Sequence, residues 1–137
     1  MGVLFEFIGN NWEWFLLLLI LITALIITES QKTGKSVSPQ QATNMVNRNN
    51  AIIVDIRDVK DFKQGHIAGA LNIPISALDT RISELHKYKN QPIIVACKLG
   101  QQSTIVGKRL KADGFEEVLR LQGGMTEWQN MNLPVVR

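Results

Sequence analysis

Between Glu13 and Glu29 the chain carries no charged residue, and most side chains there are large hydrocarbons: "WFLLLLILITALIIT", Trp14 to Thr28. No other feature narrows the possible folds so much. Wound as a helix, the run is apolar on every side, so it has no face to turn toward a core and none to leave in water. The domain that follows reads as complete without it. A cleaved leader fits no better, because no basic residues precede the run and "ITALIITES" offers no small-residue cleavage site. A membrane-spanning helix remains. At a rise of 1.5 Å per residue the run covers about 22 Å. That is the short end of a span, which wants about 20 residues and no fewer than about 17. Trp12 and Trp14 suit an interface, Glu13 then lies at headgroup level, and the apolar "VLFEFIG" upstream lengthens the buried part. The expected span is 12–28.

Charge orients the span. No Lys or Arg precedes it, whereas Lys32, Lys35 and Arg48 follow. The positive-inside rule puts the N-terminus outside and the C-terminal domain in the cytoplasm, as in a bacterial inner membrane. With Glu6 and Glu13 as its only charges, residues 1–28 hold −2 of the chain's net +3, which leaves +5 on the remainder. No Lys/Arg cluster there is interleaved with aromatics, so a nucleic-acid partner is not expected. The single cysteine, Cys97, excludes an internal disulfide and a Cys-rich zinc site. With only His66 and His86 beside it, a metal centre lacks ligands. A lone thiol suits a reducing compartment.

Residues 29–37, "ESQKTGKSV", read as a short polar tether, and 38–137 as one globular domain. Ser38 and Pro39 open a helix in which Ala42, Met45 and Val46 share a face. "AIIVDI", Ala51 to Ile56, is a continuous apolar run and predicts a strand buried on both faces. "RDVKDFKQG" predicts a short helix ended by Gly65, and "ALNIP" a strand stopped by Pro74. Ser76 is expected to cap a helix with Ile75, Leu78, Ile82 and Leu85 on one stripe. "PIIVAC" is another buried strand, Ser103 to Asp113 a helix closed by Gly114, "EVLRL" a strand and "GGMTEWQNM" a last helix. Strands alternating with helices predict an α/β fold: a central, parallel-rich sheet with helices on both faces, preceded by one transmembrane helix. Sites in such sheets gather at the carboxyl ends of strands. Cys97 is at one such end, and Asp55 to Arg57 at another.

After Cys97 come Lys98, Leu99, Gly100, Gln101 and Gln102, and then Ser103 opens a helix. Successive N–H groups in a tight loop ahead of a helix converge into an anion-binding nest, helped by the positive end of the helix dipole. Gly100 lets the loop curl, and Lys98 adds positive charge beside the sulfur. The plain alternative is a space-filling core cysteine at a strand end.

Three stretches together resemble one family. "VDIRDVKDFKQGHIAGALNIP" is similar to the first signature of rhodanese-like domains, "CKLGQQS" to their active-site loop, and "LQGGMTEWQNMNLPV" to their C-terminal signature. They occur in the family's order and span nearly all of Val37 to Arg137. Membrane-tethered rhodanese-like proteins of bacteria share the layout with an anchor ahead of the domain. The resemblance implies a sulfurtransferase of thiosulfate type that needs no cofactor. Cys97 would take a sulfane sulfur from a small donor as a persulfide and pass it to a thiol or other nucleophilic acceptor, small or protein-borne. It also implies that Lys98, Leu99, Gly100, Gln101, Gln102 and Ser103 form the substrate-binding loop. Gln102 stands where many members carry Arg, Ser or Thr, which bears on donor preference. Asp55 and Arg57 match the family's Asp-x-Arg motif in a supporting role, with Arg57 expected to pair with Asp61. His66 matches a Gly-His motif as a packed residue, and Gly123, Gly124 and Trp128 match the closing motif as turn and core.

Two other functions compete. One is a membrane-anchored binding or scaffold module with little turnover, against which the presence of Cys97 argues. The other is a cysteine phosphatase, whose loop needs an Arg where this chain has Ser103.

Overall fold

The computed structural model describes the backbone of residues 1–137 and the side chains of 1–29 and 34–137. Lys32, used above to orient the span, has its side chain outside the described residues. The chain divides into two compact units, Met1–Lys32 and Thr33–Arg137.

The first unit is helical. Helices α1 (Gly2–Asn10) and α2 (Trp12–Thr33) are parted by Asn11 alone. Asn11 leaves helical geometry at φ −125°, and its side-chain amide donates to the Phe7 carbonyl at 2.8 Å. Its own carbonyl accepts from the N–H of Trp14 and so starts α2. The "VLFEFIG" segment is thus a helix of its own rather than an extension of the long one. Phe7 and Phe15 meet edge to face across the break, 6.5 Å between centroids. Within α2, the 18 residues Trp12–Glu29 are long and apolar enough to cross a bilayer by length and composition, and no part of them is buried in protein. The hydroxyls of Thr23 and Thr28 donate to the carbonyls of Leu19 and Ala24, so neither requires water.

The second unit is a five-stranded sheet in the order β1-β5-β4-β2-β3, parallel throughout. Its strands are β1 (Lys35–Val37), β2 (Ile52–Asp55), β3 (Leu71–Asn72), β4 (Ile93–Ala96) and β5 (Val118–Leu121). The helices are α3 (Pro39–Arg48), α4 (Val59–Gln64), α5 (Leu78–Arg81), α6 (Gln102–Ala112) and α7 (Gly124–Asn130). The apolar runs at β2 and β4 form strands because both faces are covered. Val54, Ile93 and Val95 pack with Leu78, Leu85, Val106 and Leu110 on one side. Ile53, Ile94 and Ala96 pack with Ala42, Met125 and Trp128 on the other. Side chains alternate across a strand, so an unbroken apolar run feeds two cores at once. Ser38 caps α3 as expected, in a reciprocal capping box with Gln41.

Two local expectations are corrected. The tether 29–37 is not free coil: α2 continues to Thr33, and Lys35–Val37 is an edge strand in register with Leu119–Leu121. Pairing with β5 makes that strand, since "KSV" has no strand pattern of its own. Ser76 caps nothing. The stretch from Ile75 to Tyr88 is a 3-10 turn, then α5, then a second 3-10 stretch. Ile75, Leu78, Ile82 and Leu85 step by 3, 4 and 3, a spacing that fits an α-helical stripe, so the apolar pattern does not by itself show the 3-10 turns. Gly65 ends α4 in extended geometry, φ 161°, close under Val135.

Candidate active site

Asp55 and Ala96 are partners in the β2–β4 ladder. Equal register in a parallel pair brings the carboxyl ends of both strands to one edge, and so sets Asp55–Arg57 beside Cys97. Cys97 is 1 % exposed and belongs to the core shared with Val106. Its Sγ accepts the N–H of Gly100 at 2.9 Å. The loop can fold back that far because Gly100 sits at φ +95°, where a side chain would strain the backbone. Ser103, fully buried, donates its hydroxyl to the Gly100 carbonyl at 2.8 Å and closes the turn into α6. The N–H groups of Lys98, Leu99, Gln101 and Gln102 meet no acceptor among the described residues. Four open donors and one bonded to sulfur, at the start of an 11-residue helix, make a place where negative charge is stabilised.

Helix α7 holds the loop from behind. The N–H of Met125 donates to the Cys97 carbonyl at 2.7 Å, and that of Thr126 to the Lys98 carbonyl at 3.0 Å. A trans peptide points its N–H opposite its C=O, so these bonds turn the next two amides, of Lys98 and Leu99, away from α7. The approach is close enough that a Cβ on Gly124, at φ +60°, would lie 2.7 Å from the carbonyl carbon and oxygen of Lys98. Gly123 and Gly124 were expected to serve the turn. Their larger effect is to let a helix end touch the loop, which residue type alone does not reveal.

Arg57 pairs with Asp55, not with Asp61 as expected. Its Nη2 lies 2.7 Å from Asp55 Oδ2, and Nε bonds both carboxylate oxygens. Asp55 is 1 % exposed, so its charge needs a partner at once. Arg57, two residues on, can fork onto it, with Nη2 also donating to the Gly65 carbonyl. Asn72 was not singled out from the sequence. Its amide donates to the carbonyls of Asp55 and Arg57 at 3.0 Å each and pins the end of β2. His66 stacks on Phe62, with centroids 3.7 Å apart, and its Nδ1 meets the Phe62 carbonyl, a packed role as expected. Trp128 is core, with Nε1 donating to the Pro134 carbonyl.

Cys97 opens into a recess of about 290 Å³ whose walls include Ile56, Arg57, Asp61, Ile75, Lys98 and Gln102. Leu99 and Gln101 also line it, Leu99 being exposed. Of the residues singled out, the structure brings together Cys97, Lys98, Leu99, Gln101, Gln102 and Arg57. Gly100 and Ser103 shape the loop from within, and Asp55 stays below it as the partner of Arg57.

Comparison with known proteins agrees with this geometry. A family model described as "Rhodanese-like domain" matches residues 38–131. The chain belongs to the rhodanese-like domain family. The uncharacterized protein YibN of Escherichia coli K12 is 31% identical over 141 residues, covering 100% of this chain and 99% of its own. Thiosulfate sulfurtransferase GlpE of Ectopseudomonas mendocina is 38% identical over 95 residues, covering 69% of this chain and 84% of its own. Among solved structures, the rhodanese-like domain of the Anabaena Alr3790 protein superposes with a TM-score of 0.65 at 28% identity, over 74% of this chain and 77% of that one.

Proposed function

We propose that the protein is a sulfurtransferase that carries sulfane sulfur on Cys97 and is anchored in a membrane by α2. The observation that carries the reading is the thiol itself: Sγ accepts the Gly100 N–H in a loop whose other amides meet no acceptor among the described residues. In the first half-reaction the thiolate attacks the outer sulfur of a donor such as thiosulfate. The new S–S bond forms as the donor's S–S bond breaks, and the bonding pair leaves with sulfite. In the second, an acceptor thiolate attacks the outer sulfur of the Cys97 persulfide, and Cys97 departs as the thiolate. Both stages hold negative charge on sulfur, where the loop amides act. The likeness to GlpE supports the activity, and the exposed apolar surface of α2 supports the anchor.

Intact-mass measurement of the full chain in detergent, after thiosulfate, tests the chemistry. The expected result is a gain of one sulfur atom, removed by added thiol and lost in Cys97→Ser. An unchanged mass, or transfer retained in Cys97→Ser, overturns the reading. For the anchor, the domain is placed in the cytoplasm. A C-terminal reporter active only in the cytoplasm should work, and activity of an outside-only reporter instead would reverse the topology.

A further inference from the structure

The reactive loop has a second side. Leu99 and Gln101, which line the thiol recess, also wall, with Gly100, a separate hollow of about 530 Å³. Arg120 of β5 lines it, together with Thr104 of α6 and Ser36 of β1. Arg120 is half-buried, and its Nη1 donates to Thr104 Oγ1 at 2.9 Å. Its Nε is shut off from solvent with no hydrogen-bond partner among the described residues. Among the described residues, no acidic one lines the hollow. Glu127 packs over Gly123 at the hollow's edge, yet it forms no ion pair with Arg120. A partly buried guanidinium with no carboxylate and an orphaned N–H is costly. The cost is relieved when an oxyanion docks on its fork, the geometry that suits guanidinium best.

We infer that this hollow is an oxyanion-binding site, with Arg120 as its cation and Thr104 and Ser36 as neutral hydrogen-bonding neighbours. Binding requires the guanidinium to turn its buried Nε toward the hollow, where Nε and a terminal N–H together fork onto a sulfate, sulfonate or carboxylate group. The rim points to an organic source for that group. Leu99 and Ile105, 58 % and 65 % exposed, border the hollow and offer apolar surface to a short hydrocarbon tail. The hollow shares Leu99, Gly100 and Gln101 with the reactive loop but not Cys97, so binding there is tested without sulfur transfer.

The test follows the Arg120 Nε–H resonance by NMR in the full chain in detergent, in the Cys97→Ser background so that no sulfur chemistry intervenes. Sulfate, titrated at ionic strength matched with chloride, should shift the resonance saturably with a roughly millimolar midpoint. Arg120→Gln should abolish the accompanying shifts at Thr104 and Gly123, and Arg120→Lys, which keeps charge and stem, should weaken them about tenfold for want of a fork. Alkyl sulfonates of increasing length should bind up to about fourfold tighter per buried methylene, and Ile105→Ser should flatten that trend while sparing sulfate. A flat trend in the parent protein would leave the site but overturn the organic source. An unsaturable shift, or one that chloride reproduces, would overturn the site. So would a large shift of the Nε–H on Glu127→Gln with none on sulfate, which would make Glu127 the partner of Arg120.

Discussion

Helix α2 and strand β4 draw on the same residue types and put them in opposite surroundings. Leu19 and Leu25 are 61 % and 69 % exposed, whereas Ile93, Ile94 and Val95 are wholly buried. Each aliphatic side chain removed from water contributes about 1.5–3 kcal/mol, so both segments gain by leaving water. They differ in what can cover them. A strand needs only two covering faces, and the helices on either side of the sheet supply both. A helix apolar all round needs cover from every direction, and its own unit leaves it exposed apart from the contact of Phe7 with Phe15. Under the anchor reading, lipid is that cover. Apolar content alone therefore reports the demand for burial and is silent on the medium that meets it.

A charge placed in each region should break or sharpen that contrast. Ile94→Asp sets a carboxyl inside the core shared with Ala42, Met125 and Trp128, at a cost comparable with the ~5–15 kcal/mol that holds a domain of this size together. The expected outcome is loss of the cooperative thermal transition in circular dichroism. Leu21→Asp should leave that transition in place and weaken membrane partition by about 2.5–3.5 kcal/mol, read by flotation with vesicles. Unaltered flotation would remove the anchor from the account.

The same contrast applies to ion pairs. Arg57→Gln strips the partner from an Asp55 that water does not reach, and should cost about 3–5 kcal/mol in urea unfolding. A loss below 1 kcal/mol would mean that Asn72 and the neighbouring amides satisfy Asp55 by themselves. Between these extremes lies the helix-to-loop contact. Gly124→Ala adds a methyl against Lys98 and demands a left-handed alanine, at a cost of about 1–3 kcal/mol. Its persulfide yield should fall further than its stability, because the displaced α7 no longer orients the loop amides.

The smallest effect belongs to the solvent-exposed pair Arg81–Glu84. A hydrogen bond from Arg81 holds the Glu84 carboxyl below its usual value, and that value is a folded-state property. Stability from this source is present above the unfolded carboxylate's pKa and fades as pH falls through the lowered folded one. Solvent screens the pair, so Arg81→Gln should leave the melting midpoint at neutral pH unchanged within error. A clear drop there would mean the pair is sheltered in a way its exposure does not reveal.

The sequence by itself determined what depends on near neighbours and on pattern. Unbroken apolar runs named β2 and β4 as two-faced strands, Ser38 marked its own cap, and the order strand, Cys97, loop, helix placed the thiol at the carboxyl edge of the sheet. These are legible because side-chain period, capping and turn chemistry act over a few residues. Other features arise where distant segments meet, and only the tertiary structure decided them. Lys35–Val37 becomes a strand because β5 offers a free edge. Arg57 turns to Asp55 because burial leaves that carboxylate no water, a fact about the sheet and not about spacing. The amides of Met125 and Thr126 reach the loop carbonyls across 27 or more residues of chain. Arg120 keeps a buried Nε with no partner among the described residues, although its Nη1 finds Thr104 on α6. Each of these depends on which groups lose water on folding, and that is a property of the packed molecule that no local stretch of sequence carries.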